Sequence, residues 1–181
     1  NDEILGDAIT ISGTQLFVDD DLIEQLTGAT RNLNQPVKHP DNPLVVRDKP
    51  WEGRLSGFSS VMYDQDEGFF KMWYGSWSEA KKKQVLCYAT SPDGLAWRKH
   101  LTTPWSATEH TNIVFEANPE FNCHGVFKDP NDSDGERRYK MVYSDYPDGT
   151  AKTASSSAAY SPDGIYWLPY PENPLIPFSD S

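Results

Sequence analysis

The chain has 181 residues, a length that fits one ordinary domain. Aromatic residues make up 13% of it, which excludes global disorder, and 12 Gly and 14 Pro favour short strands and turns over a helical bundle. The formal net charge of −11 excludes a nucleic-acid-binding face, and no stretch approaches the ~20 apolar residues of a membrane span.

Residues 1–41 form the predicted N-terminal segment, with a strand and, between Asp20 and Leu26, either one short helical turn or an irregular strand. Three adjacent carboxylates begin at Asp19, and such a group is costly to bury. A solvated turn or a helix N-terminus accounts for them. The alternatives are a catalytic role for Asp19 and Asp20, or ligation of a calcium ion.

An internal repeat follows this segment. Ser91–Trp97 (Ser-Pro-Asp-Gly-Leu-Ala-Trp) returns 70 residues later as Ser161–Trp167. Lys71–Tyr74 returns 69 residues later as Lys140–Tyr143, in the same order along the chain. Because chance similarity would not keep this order, we infer two copies of one structural unit.

Each copy is predicted to contain four short antiparallel strands. In the first copy these are residues 58–63, 69–75, 84–90 and 95–99, and in the second 125–128, 137–144, 155–160 and 165–168. The Ser-Pro-Asp-Gly turn joins the third and fourth strands: Pro sets φ, Gly supplies a positive φ, and the Asp carboxylate accepts backbone N–H groups. This pattern predicts an all-β fold of β-propeller blades.

The repeat predicts blade 1 at residues 42–111, blade 2 at 112–172 and the start of a third blade at 173–181. Propellers typically have 4–8 blades, and two blades alone leave open sheet edges and one-sided apolar faces. We therefore expect either a longer protein, of which this is the N-terminal part, or self-assembly of copies.

Several of these motifs carry a resemblance to a known family. They are Leu16–Glu24, Asn42–Val45, Trp51–Gly53, Lys71–Tyr74, Cys87–Ala89, Ser91–Trp97, Val126–Asn131 and Tyr139–Tyr143. The chain resembles five-bladed propeller glycosidases, in particular a bacterial group described as similar to glycoside hydrolase family 32, with families 43, 68 and 130 as wider kin. The resemblance implies a glycoside hydrolase with carboxylates on the innermost strands, one of them protonated and one ionised.

The match to the family's catalytic residues is incomplete. Where family 32 has an Asp in its first blade, this chain offers Glu52 as a catalytic candidate. Asp129, in a Lys-Asp-Pro segment, is similar to the family's Arg-Asp-Pro segment and is a second candidate. The repeat, however, aligns Asp129 with Asp64 in a hairpin turn, and both interpretations stay open. The acid Glu of blade three would lie beyond Ser181, so part of the active site is expected outside this chain.

Five further residues are predicted to bind substrate. Trp51 and Trp77 fall outside the predicted strands, and exposed aromatic rings stack on sugar faces. Asn122 and His124 precede the inner strand of blade 2, where they can hydrogen-bond sugar hydroxyls, and Arg54 follows the Trp51 segment. The alternative for each is an ordinary packing or hydrogen-bonding role.

No two of the four His stand at metal-ligand spacing, so neither a metal site nor a cofactor is predicted. The expected partner is a carbohydrate substrate, and the acidic pI fits a secreted or periplasmic protein. A non-catalytic glycan-binding propeller is the alternative function. A sialidase-like six-bladed propeller ranks lower, because its turn has one more residue between Asp and Gly and its site needs three Arg to clamp a carboxylate.

Overall fold

The computed structural model describes residues 13, 23, 25–101, 110–116, 122–146 and 155–177. The chain divides into two compact units, residues 1–39 and 40–181, and the architecture below belongs to the second. Asp19, Asp20 and most of the proposed helical turn lie outside the described residues. No helix in the described ranges is long and apolar enough to cross a membrane.

The second unit is all-β, which confirms the predicted fold class. Its strands are β1 Leu55–Asp64, β2 Phe69–Ser78, β3 Lys83–Ser91, β4 Arg98–Lys99, β5 Ile113–Glu116, β6 Asn122–Lys128, β7 Tyr139–Asp145, β8 Ser155–Ser161, β9 Leu168–Pro169 and β10 Ile176–Pro177. They form two antiparallel sheets of five strands each, consistent with partial propeller blades.

The two sheets have the same topology. β1, β2 and β3 lie side by side, and β4 and β5 share the outer edge of β3. β6, β7 and β8 repeat this arrangement, with β9 and β10 on the outer edge of β8. The sequence repeat is therefore also a structural repeat, and β1 and β6 are the inner strands.

A repeated asparagine joins each connection to its sheet. Asn112 Nδ2 donates to the Tyr88 carbonyl oxygen at 2.9 Å, and Asn173 Nδ2 donates to the Ala158 carbonyl oxygen at 2.8 Å. Because β5 follows Asn112 directly and pairs with β3, the predicted boundary at residue 112 falls inside the first sheet.

The two Ser-Pro-Asp-Gly turns have the predicted geometry. Asp93 Oδ1 accepts the backbone N–H groups of residues 95 and 96, each at 2.8 Å, and Asp163 does the same for residues 165 and 166 at 2.8 and 2.9 Å. Gly94 and Gly164 have φ values of 77° and 81°. Because these amides are bound to the turn carboxylate, they cannot join a ladder, and the predicted fourth strands shrink to the two-residue β4 and β9.

The two sheets share one buried core. Trp73 of β2 has no exposed surface, and its Nε1 donates to the Gly164 carbonyl oxygen of the second sheet at 2.6 Å. The core also contains Leu86, Tyr88, Val114, Phe115, Cys123, Val126, Tyr139, Met141, Tyr143, Ala159 and Trp167. Trp73 and Trp167 both pack in this core, and Cys87 and Cys123 are buried free thiols.

The outer face of the second sheet is more open. Phe127 and Val142 are 49% and 40% exposed there. The repeat places them at the positions of Met62 and Trp73, which pack against the second sheet. An open apolar face of this kind is what the sequence predicts for a set of two blades.

Candidate functional site

The sheets have two distinguishable ends. The crossover end is where the inner strands begin, at Leu55 of β1 and Asn122 of β6. The hairpin end is where these strands finish, at Asp64 and Lys128, and turn into β2 and β7. Four of the candidate residues lie at or beside the crossover end: Arg54, Trp77, Asn122 and His124.

Both inner strands are irregular near the crossover end. The pairing of β1 with β2 shifts register between Leu55 and Ser59. The pairing of β6 with β7 shifts between Cys123 and Gly125, which leaves His124 as the extra residue. β-Bulges of this kind redirect side chains out of the strand alternation and are frequent beside active sites. The two sheets therefore carry matching irregularities at the end where the candidates gather.

Arg54 and Trp77 are held side by side by a close backbone approach. Gly53 N donates to the Trp77 carbonyl oxygen at 2.7 Å, and Trp77 N donates to the Arg54 carbonyl oxygen at 3.0 Å. A Cβ on Gly53 would lie 2.5 Å from that Trp77 oxygen, so only Gly fits. Arg54 is exposed and Trp77 is half-buried, so both reach solvent.

Asn122 opens β6 and pairs with Ser144 of β7, one residue before Asp145. Asp145 is half-buried and accepts the Tyr146 N–H at 2.8 Å. Sequence reasoning missed this carboxylate. At the repeat spacing of 69 residues, Asp145 corresponds to Ser76 of the first copy. This change from Ser to an acid at the end of a strand was the signal available in the sequence.

Glu52 lies beneath the crossover end and is buried, with no side-chain surface exposed. Its Oε1 accepts the Tyr74 hydroxyl at 2.6 Å, and its Oε2 accepts Lys99 Nζ at 2.7 Å. Burial raises the pKa of Tyr74 well above its ordinary value, so the phenol remains a donor. These contacts favour a structural role for Glu52, and its catalytic role stays a prediction.

Trp51 belongs to the same buried network. Its Nε1 donates to Asn112 Oδ1 at 2.8 Å, and Asn112 Nδ2 donates to the Tyr74 hydroxyl at 2.7 Å. The ring is half-buried against the core on the far face of the first sheet. Trp51 thus packs on the far face of the first sheet, whereas Trp77 lies next to the end of β2.

Asp129 lies at the hairpin end, away from the other candidates. It accepts the Asn131 N–H at 3.0 Å and Lys140 Nζ at 2.5 Å. The Lys140 hydrogen bond holds the pKa of Asp129 below its ordinary value. Asp64 and Lys71 form the equivalent pair in the first sheet, so the geometry favours the turn interpretation of Asp129.

Within the described ranges, no group of three or more His, Cys, Asp or Glu side chains is arranged to hold a metal ion. The residues at the crossover end instead offer an aromatic ring and a guanidinium in the first sheet, and an amide and a half-buried carboxylate in the second. Such a set can bind a polar ligand through stacking and hydrogen bonds.

Comparison with known proteins gave only remote similarity. No family model and no curated protein matches the chain. One similar solved structure is described as a glycoside hydrolase, with 21% identity and a TM-score of 0.47 over 80% of this chain and 39% of that one. Another belongs to a study of the GH130 family of mannoside phosphorylases, with 16% identity and a TM-score of 0.44 over 66% of this chain and 32% of that one.

A third similar structure is an N-acetylgalactosamine deacetylase from F. plautii, with 13% identity and a TM-score of 0.41 over 61% of this chain and 28% of that one. The chain thus spans about a third of the length of each of these proteins. At this level of similarity the likeness does not assign a function. The resemblance to the family 32-like group stays a prediction.

Proposed function

We propose that this chain belongs to a carbohydrate-active protein that contacts a poly- or oligosaccharide at the crossover end, and that the reaction is glycoside hydrolysis. The observation that carries the proposal is the pair of register shifts in β1 and β6 beside the candidate residues. β-Bulges are over-represented at sheet edges and next to active sites, and both of these lie at the end where the candidate residues gather.

The residues at this end suit a sugar. The half-buried ring of Trp77 offers an apolar face for stacking, and the exposed Arg54 guanidinium beside it offers five donors. The Asn122 amide both donates and accepts, which matches a hydroxyl group. His124 is the extra residue in the backbone of the β6 bulge at the same end.

Hydrolysis needs two carboxyl groups, one protonated and one ionised. We assign Asp145 as the first candidate, because it ends β7 beside the start of β6. Glu116 also lies at this end, but Lys81 and Lys83 bind it at 3.0 and 2.5 Å and hold its pKa down against the effect of burial. Asp19 and Asp20 lie outside the described residues, and their catalytic role stays a prediction.

Glycan binding without hydrolysis is the second candidate function. It is favoured by the contacts of Glu52 and Asp129, since both carboxylates are bound to lysines in structural networks. The same crossover end would then bind the sugar, and Asp145 would only accept hydroxyl hydrogen bonds.

Titration calorimetry and reducing-sugar release with glucose-, mannose-, galactose- and fructose-based oligosaccharides test the proposal. We expect Arg54→Ala to weaken binding about tenfold, because a charged hydrogen bond contributes about 1.5–3 kcal/mol. Arg98→Ala, on an equally exposed arginine of β4, should bind like the wild type.

Asp145→Asn should abolish release of reducing ends while keeping binding. Binding with no release by the wild type would select the second candidate function. Binding by none of the four oligosaccharide classes, or equal binding by Arg54→Ala and Arg98→Ala, would overturn the proposal.

A further inference from the structure

A groove of about 640 Å³ opens at the hairpin end, away from the crossover end. It lies between the short turn that follows β1 and the longer connection, residues 129–138, that follows β6. Its volume falls within the roughly 300–1,000 Å³ of ordinary ligand clefts.

The groove is held open by its own polar contacts. Asp132 Oδ1 accepts the Asp134 N–H at 2.9 Å, and Asp134 Oδ1 accepts the Glu136 N–H at 3.0 Å. Lys140 Nζ donates to Asp132 Oδ2 at 2.8 Å and ties this connection to β7. These bonds within the chain hold the groove wall in place, so binding would have little of it left to order.

Charge narrows the class of ligand. Asp64 and Asp66 each accept Lys128 Nζ at 2.7 Å, and Asp129 and Asp132 are both bound to Lys140. Lys128 and Lys140, together with Lys71 beside Asp64 and Arg138 in the lining, balance these four carboxylates, so the groove favours neither an anionic nor a cationic ligand. The Asp64 carboxylate has no exposed surface, but those of Asp66, Asp129 and Asp132 are partly exposed and keep lone pairs that accept from hydroxyl groups. These acceptors fit a neutral ligand rich in hydroxyls.

An aromatic ring completes the lining. Tyr63 is 49% exposed, and its ring packs edge-on against Phe70 with a centroid distance of 4.9 Å. The packed ring is held in place, so stacking against it would immobilise little more of the protein. Aromatic faces bind the apolar C–H faces of pyranose rings, while carboxylates bind their hydroxyls.

We propose that the groove between the two hairpins is a second carbohydrate-binding site, one that takes neutral oligosaccharides. The ligand class rests on the proposed function, but the location does not, because none of the crossover residues lines the groove. Two sites at opposite ends of the sheets would let one chain contact a polysaccharide at two separate places.

Methionine methyl NMR tests the proposal at the groove itself. The chain has 3 Met, and Met62 lines the groove, whereas Met72 and Met141 are 9% and 0% exposed in the cores. With methyl-¹³C-methionine, neutral hexasaccharides of glucose, mannose and galactose are added in turn. We expect at least one to shift the Met62 resonance saturably and to leave Met72 and Met141 in place.

Paired tyrosine variants identify the contact. Tyr63→Ala should weaken the Met62 response about tenfold through loss of stacking, and Tyr63→Phe should retain it. Tyr166→Ala, on a tyrosine that is 56% exposed outside the groove lining, should respond like the wild type. Unchanged Met72 and Met141 resonances in each variant would show that the fold is intact.

Two results would overturn the proposal: no Met62 shift with any of the three sugars, or a full response by Tyr63→Ala. Arg54→Ala separates this site from the crossover end and should leave the Met62 response intact. If it abolishes that response, the groove is not an independent site. A Met62 response that persists while the crossover variants bind like the wild type would contradict only the proposed function.

Discussion

Asp64 joins the two sheets at the hairpin end. Its carboxylate has no exposed surface and accepts hydrogen bonds from Lys128 Nζ and the Tyr139 hydroxyl, both in the second sheet. Lys71 Nζ, in the same sheet as Asp64, lies 3.3 Å from Asp64 Oδ2. Burial alone would raise the pKa of Asp64, but the hydrogen bonds from Lys128 and Tyr139 and the charge of Lys71 outweigh it and hold the pKa far below its ordinary value.

This depressed pKa predicts a pH dependence. The folded-state pKa is below the unfolded value of about 3.9, so Asp64 stabilises the fold at neutral pH and loses that contribution as pH falls below about 4. The difference in unfolding free energy between wild type and Asp64→Asn should therefore shrink toward acid in urea titrations. Asp66→Asn, at a neighbour whose side chain is 70% exposed, should differ little from wild type at any pH. A constant gap for Asp64→Asn would contradict the assignment.

At single residues, the sequence was informative where the role is local. The Asp of each turn binds the backbone N–H groups two and three residues further on, and this role was predicted. Glu52 was harder, because its partner Lys99 lies 47 residues away and reaches it only through the pairing of β3 with β4. The buried contacts of Glu52 therefore could not be predicted from its neighbours.

Among the structural elements, the two Ser-Pro-Asp-Gly turns share one geometry but have different surroundings. A Cβ on Gly164 would lie 2.5 Å from Trp73 Cζ2, whereas a Cβ on Gly94 would meet Phe70 at 3.7 Å. The second turn is thus part of the contact between the two sheets, whereas the first turn lies against Phe70 of its own sheet.

Alanine at each position measures that difference. Gly94→Ala should cost about 1–2 kcal/mol of unfolding free energy, because both glycines have positive φ. Gly164→Ala should cost about 1–3 kcal/mol more, because its methyl group would overpack against Trp73. Denaturant titration gives both values. Equal losses would show that Trp73 does not pack on the second turn.

The strands and turns were predictable because period-two patterns and turn chemistry are local. The register shifts in β1 and β6 were not, since a bulge is defined against the partner strand. Gly57 and Gly125 within these strands were the available signal, because glycine in a strand often marks a bulge. The crossover end is therefore the part of the candidate site that needed the structure.

For the whole molecule, the repeat predicted two similar sheets, and the structure contains them. The repeat could not predict which candidate residues would lie at the same end of the sheets. Asp129 and Asn122 are only seven residues apart in the chain, yet β6 carries them to opposite ends. Function was thus assigned to the crossover end by strand direction, which sets Asp129 apart from Arg54, Trp77 and Asn122.

The central claim, that the crossover end binds carbohydrate, is tested most directly by oligosaccharide titration of Asn122→Ala beside Asn34→Ala. Asn122 is half-buried at the start of β6, and Asn34 is an exposed asparagine of the first compact unit, so the pair matches in chemistry and differs in place. We predict that Asn122→Ala weakens affinity about five- to tenfold, as expected for one lost hydrogen bond, and that Asn34→Ala does not. Equal affinity of both variants and the wild type would contradict the claim.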